Sequence, residues 1–193
     1  MSSDGQAARP KWEKTFTATT AEQTHALAVA LAAVLTAGDL LVLSGELGAG
    51  KTTFTQGLGE GLGVREGIIS PTFVLVRIHP NLPQGTRPGG PDLVHVDAYR
   101  LESAAEIDDI DLENTMDSSV TVVEWGRDRV EHLSESRLEI DLHRAIGLGS
   151  GSPSASLDFD TEDVDEPRTI VMRGYGPRWP GAPELGAAME GAV

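Results

Sequence analysis

Cysteine is absent from this 193-residue chain, which excludes a disulfide framework, a thiolate metal site and a thiol nucleophile. Lysine is nearly absent too: Lys11, Lys14 and Lys51 are the only three. Fifteen basic side chains stand against thirty acidic ones, a net charge of −15 that repels a bare phosphate backbone, so unaided binding of RNA or DNA is not expected. No stretch approaches the ~18 consecutive apolar residues of a membrane span. The amino-terminal segment has scattered charge and no apolar core, so it does not form a signal peptide, and the chain is expected in the cytoplasm. At 39% hydrophobic content the remainder is enough for one globular domain with some excess.

What is present begins with Gly45-Glu46-Leu47-Gly48-Ala49-Gly50-Lys51-Thr52. A Gly-x4-Gly-Lys-Thr spacing lets a loop curl so that successive backbone N–H groups point inward at a polyphosphate. Glycine is required where a side chain would block that approach or where φ is positive. Lys51 is then placed to reach the outer phosphates, and the Thr52 hydroxyl to ligate Mg²⁺. The context agrees, since Asp39–Ser44 reads as a short buried strand and Thr52–Leu62 as a helix.

Along the chain, residues 1–12 are expected to be disordered, 13–174 to form the domain, and 175–193 to be a flexible tail. Lys14–Thr17 reads as a short strand. Thr20 and Gln23 have the spacing of a capping box, opening a helix with Leu27, Ala30, Leu31, Val34 and Leu35 on one face and Gly38 as its cap. Thr72–His79 and Leu93–Val96 read as strands around a proline- and glycine-rich connection at 80–91. Ser103–Asp117 is acidic and weakly helical, anchored by Ile107, Ile110 and Leu112. Val120–Glu124 reads as a buried strand, Arg137–Leu142 as a strand with one solvated face, and Thr169–Arg173 as the last strand. Residues 145–167 hold six acids and no Lys or Arg, and are expected to be a disordered acidic insertion. Strands and helices alternate around the loop while hairpins come later. The predicted fold is therefore α/β: a three-layer P-loop NTPase-like domain with a mixed sheet.

Hydrolysis needs carboxylates at the ends of neighbouring strands to hold metal and water. Asp97 and Glu124 end two apolar strands and qualify. Ser70-Pro71-Thr72 follows the loop's helix, where switch-type NTPases carry a threonine that touches the γ-phosphate or its metal. His95 is read as a structural histidine, Trp125 as a packing residue, and Arg100 and Arg127 as candidate arginine fingers. No Asn-Lys-x-Asp segment for guanine occurs, which favours ATP. Such a loop also serves small-molecule kinases and nucleotide-gated interaction modules with negligible turnover, and both stay open.

The blocks at 45–54, Ser-Pro-Thr-Phe (70–73), His-Val-Asp-Ala-Tyr-Arg-Leu (95–101) and Val-Glu-Trp-Gly (123–126) together resemble the TsaE family. That resemblance implies the ATPase subunit of the bacterial machinery that makes threonylcarbamoyladenosine beside the anticodon of tRNA. It implies ATP and Mg²⁺ as cofactors, with Gly48, Ala49, Gly50, Lys51, Thr52 and Thr53 around the phosphates. It also implies Thr52 and Glu124 on the metal, Asp97 supporting metal and water, and Thr72 as γ-phosphate sensor. Thr19 and Arg168 are the nearest matches to the family's adenine contacts. The implied partners are TsaD and TsaB, with tRNA reached only through them, and the expected behaviour is a slow ATPase stimulated by that complex.

Overall fold

The computed structural model describes residues 8–71, 75–101, 103–108, 111–145 and 167–186. Its centre is a run of apolar strands. Leu40–Gly45 (β2) alternates Leu41 and Leu43 toward one face and Leu40 and Val42 toward the other, all fully buried. A strand covered on both faces reads as a continuous apolar run, which is why the sequence showed it without polar alternation. The order β1-β7-β6-β2-β5-β4-β3 makes a seven-stranded sheet. Parallel pairing joins Asp92–Asp97 (β4), Ser119–Glu124 (β5), β2 and Arg137–Arg144 (β6). Antiparallel edges are added by Val76–His79 (β3) beside β4, by Arg168–Tyr175 (β7) beside β6, and by Trp12–Ala18 (β1) beside β7.

Helices Ala21–Ala32 (α1) and Lys51–Leu62 (α2) cover one face, and Ala104–Asp108 (α3) with Glu113–Met116 (α4) cover the other. The result is the expected three-layer α/β P-loop fold with a mixed sheet. The capping box is present in modified form. Thr20 Oγ1 accepts from the Gln23 N–H at 3.2 Å, while Gln23 Oε1 accepts from the N–H of Thr19, one residue earlier than expected, at 2.7 Å. Of the anticipated apolar face, Leu27, Leu31 and Leu35 are buried, Ala30 is half-buried and Val34 reaches solvent.

Several expectations need correction. Gly38 is not the cap of α1, which closes at Ala33. The carbonyls at its end are served by the N–H groups of Ala33, Val34 and Leu35 and by Arg87, whose Nη1 donates to Ala32 O at 3.2 Å and, just beyond the helix, to Leu35 O at 2.9 Å. Order begins before residue 13, because Lys11 N donates to Gly174 O and Trp12 starts β1 against Gly174. The stretch taken as a flexible tail continues as Tyr175 in β7 and then folds back, burying Trp179 and Leu185 in the core.

The polar side of β6 is not solvated either. Arg137, Glu139 and Asp141 are buried, because Arg127 and Arg173 cap Asp141 and the Tyr175 hydroxyl donates to Glu139. The described residues of the expected Ser103–Asp117 stretch include two short helices, Ala104–Asp108 and Glu113–Met116, anchored by Ile107 and Leu112. Ile110, residues 72–74 of the expected Thr72–His79 strand, and 146–166 of the expected insertion lie outside the described residues. The insertion's flanks meet, with Ala145 N donating to Pro167 O at 2.9 Å.

Candidate functional site: a phosphate-type loop facing two carboxylates

The turn from β2 into α2 is built on positive-φ glycines. Gly48 has φ +77° and Gly50, at the N-cap of α2, has φ +100°. At Gly45 the constraint is space: a Cβ there would lie 2.6 Å from the Leu142 carbonyl oxygen. No side chain caps α2, so the amide N–H groups of its first turn and its positive dipole end face the loop's hollow. Thr52 and Thr53, in that turn, are half-buried, and Ala49 is fully buried beneath it.

Lys51 opens α2 and is 8% exposed. Its Nζ donates to the carbonyls of Gly45 at 2.7 Å and Glu46 at 3.1 Å, and sits 4.8 Å from the centroid of the Trp125 ring. Burial pushes the Lys51 ammonium below its ordinary pKa, and the charges of Glu124, Asp97 and Glu46 hold it up in part. Asp97 and Glu124 are register partners at the carboxyl ends of β4 and β5, 5% and 3% exposed respectively. Carboxyl ends of parallel strands are where this architecture binds ligands. Asp97 Oδ1 accepts from the Tyr99 N–H at 2.9 Å, and Glu124 Oε1 is 2.7 Å from His95 Nε2.

Lys51, Asp97, Glu124, Gly48, Ala49, Gly50, Thr52 and Thr53 are thus gathered by β2, β4, β5 and α2. Arg168 is brought to the same edge, its Nε 3.7 Å from where a Cβ on Gly50 would stand. Thr19 follows Ala18, the register partner of Arg168, but its N–H and hydroxyl are engaged by Gln23 Oε1 at 2.7 and 3.0 Å. Thr72 lies outside the described residues. Arg127 does not reach the loop, since it is committed to Asp141 and Glu139.

Sequence reading gave no site role to three residues found beside these, among them His95, which it read as a structural histidine. His95 is fully buried against Glu124. Arg144 approaches Gly48, its Nη1 3.6 Å from the position of a Cβ there, and its N–H donates to Glu46 Oε1 at 3.0 Å, which lowers the Glu46 pKa. Tyr99 is 64% exposed and packs edge-on against Trp125, with ring centroids 5.4 Å apart. The only signal for His95 and Tyr99 was their place in the block His-Val-Asp-Ala-Tyr-Arg-Leu, and no motif contained Arg144.

The donor set suits a phosphate-and-divalent-metal group: amides and an ammonium on one side, a hydroxyl and two carboxylates on the other. The glycines supply the clearance such a group demands. Among the described residues no helix is long and apolar enough to cross a membrane.

Comparison with known proteins shows which family carries this fold. Residues 18–147 match the family model described as threonylcarbamoyl adenosine biosynthesis protein TsaE. A Streptomyces coelicolor protein named tRNA threonylcarbamoyladenosine biosynthesis protein TsaE is 50% identical over 150 residues, covering 77% of this chain and 88% of that protein. The Mycobacterium tuberculosis protein of the same name is 41% identical over 156 residues, covering 75% and 90%. The crystal structure of Bacillus subtilis YdiB superposes with a TM-score of 0.61 at 29% identity, covering 87% of this chain and 89% of that one. The chain belongs to the TsaE family of threonylcarbamoyladenosine biosynthesis proteins.

Proposed function

We propose that this protein binds ATP with Mg²⁺ and hydrolyses it slowly, as a nucleotide-dependent switch on the transferase that forms threonylcarbamoyladenosine beside the tRNA anticodon. The observation that carries this reading is Lys51 lodged between the loop carbonyls and the Asp97–Glu124 pair. In the proposed cycle Lys51 leaves the carbonyls of Gly45 and Glu46 and turns to the β- and γ-phosphates. The N–H groups at Gly48, Ala49, Gly50, Lys51, Thr52 and Thr53 wrap the same oxygens. Mg²⁺, when bound, neutralises charge developing on the transferring phosphoryl group. Thr52 and Glu124 hold it, Asp97 orients the attacking water, and Thr72 senses the γ-phosphate. Arg168, with Thr19 alongside, faces the adenine end.

TsaD and TsaB are the proposed partners and the cytoplasm the proposed location. A net charge of −15 supports contact with tRNA through those partners alone. The acidic residues of α3 and α4 then present a face to a basic surface.

ATP turnover measured with and without the partner complex tests the proposal. Weak turnover alone, stimulated by the complex, is expected, as is a loss of about 100-fold or more in Lys51→Ala and Glu124→Ala. Full activity in both variants would refute it. Transfer of phosphate to a small acceptor would favour the kinase reading. A variant that binds ATP without cleaving it, yet sustains many product cycles, would favour a gated module.

A further inference from the structure

Histidine 95 occupies a place where chemistry of packing alone asks for an apolar residue. It lies on the α2-facing side of β4 between Leu93 and Asp97, and it is fully buried. Burying an imidazole costs free energy unless its nitrogens are used. Here Nε2 reaches Glu124 Oε1 at 2.7 Å across the strand pair, while Nδ1 has no hydrogen-bond partner among the described residues. With no acceptor opposite Nδ1, the ring proton is assigned to Nε2, where it points at the carboxylate. The one polar contact that accounts for this ring is therefore with Glu124.

We propose that His95 is a positioning residue: it fixes Oε1 of Glu124 and leaves Oε2 for a divalent cation held with nucleotide phosphate. The arrangement has a counterpart next door. Asp97 likewise has one oxygen, Oδ1, occupied by the Tyr99 N–H. Each carboxylate at the strand ends is thus pinned by the protein through one oxygen. Orientation by a buried donor behind a ligating group typically governs metal affinity by about 10–100-fold. This inference rests on the nucleotide-and-metal reading above, and it concerns a residue which that reading leaves without a role.

Mn²⁺ binding, followed by electron paramagnetic resonance in the presence of a non-hydrolysable ATP analogue, separates the possibilities. Wild type, Glu124→Gln, His95→Leu and His95→Gln are compared. Nucleotide affinity in EDTA and the thermal midpoint are measured alongside. His95→Leu is expected to weaken Mn²⁺ binding about 10-fold while leaving metal-free nucleotide affinity near wild type. His95→Gln, whose amide donates from a similar reach, should recover most of the loss. Wild-type Mn²⁺ affinity in folded His95→Leu would overturn the inference, as would an equal loss of nucleotide affinity in EDTA or no recovery in His95→Gln.

Should His95→Leu fail to fold, His95→Asn replaces it. Its shorter amide falls short of Glu124, so binding weaker than in His95→Gln supports the role and equal binding overturns it. A wild type that takes up no Mn²⁺ with nucleotide would instead sink the functional reading itself.

Discussion

His79 shows how a single side chain can set the behaviour of this fold toward acid. It ends β3, 7% exposed, with its ring centroid 6.5 Å from that of His95 and its Nε2 unpartnered among the described residues. Burial lowers its pKa most, and the nearness of the His95 ring and of Arg77 lowers it further. In the unfolded chain the imidazole takes a proton near its ordinary value of about 6.5. In the folded protein it does so only at lower pH. Between those two values the unfolded chain binds more protons, so stability rises with pH across that window. Falling pH therefore erodes stability below about 6.5, and the loss levels off beneath the folded value. Replacing His79 with Phe is expected to flatten this slope in urea titrations at pH 5 and 7.5. An unchanged slope would show that His79 is not its source. The residues around the loop were legible to unequal degrees. Lys51, Asp97 and Glu124 announce themselves because each stands at a fixed offset within its own strand or turn. His95 and Arg144 act on partners 29 and 98 residues away, and only the assembled sheet makes those pairs.

Between α1 and α2 the sequence places glycines where helix propensity would forbid them. Each glycine within a helix costs about 1 kcal/mol relative to alanine. Yet α2 carries Gly57, Gly59 and Gly61 in two turns. Packing explains them. A Cβ on Gly57 would stand 2.8 Å from the Ala28 Cβ and collide with the His25 carbonyl, and one on Gly61 would stand 2.5 Å from the Ala32 Cβ. The two helices approach backbone to backbone, which holds the start of α2 against the sheet edge where the acids lie. Gly57→Ala is accordingly expected to destabilise the protein by about 1–3 kcal/mol despite its better helix propensity. A midpoint of urea unfolding equal to or above wild type would contradict this. Helix α2 and strand β2 were readable because period and flanking turn agreed. Strand β6 was misjudged because alternation normally marks a wetted face. Here Arg137, Glu139 and Asp141 alternate with apolar residues yet are buried, since Arg127, Arg173 and Tyr175 supply partners that no local pattern reveals.

The two ends of the domain close on each other, and that closure decides how far the fold extends. Composition alone made the region after β7 look free, because proline and glycine dominate it. Trp179 reverses this reading. It is 3% exposed within the core cluster that also holds Phe16, Leu138 and Met172. Its carbonyl accepts from Trp12 Nε1 at 3.2 Å, joining the start of β1 to the stretch beyond β7. Arg178 continues the clasp by gripping Asp39, with Nε 3.0 Å from Oδ1, just before β2 begins. The strand that leads into the phosphate-type loop is therefore braced from the carboxyl-terminal side. Trp179→Ala removes a large buried ring and is expected to cost about 3–5 kcal/mol. In a domain of this size each kcal/mol lowers the thermal midpoint by about 2–4 °C, so a fall on the order of 10 °C should appear by calorimetry. Nucleotide affinity measured well below the new midpoint should stay near wild type, because Trp179 is tied to Trp12, at the opposite end of β1 from Ala18 and its partner Arg168. If the midpoint does not move, the segment after Tyr175 is an appendage, and the brace on β2 must come from elsewhere.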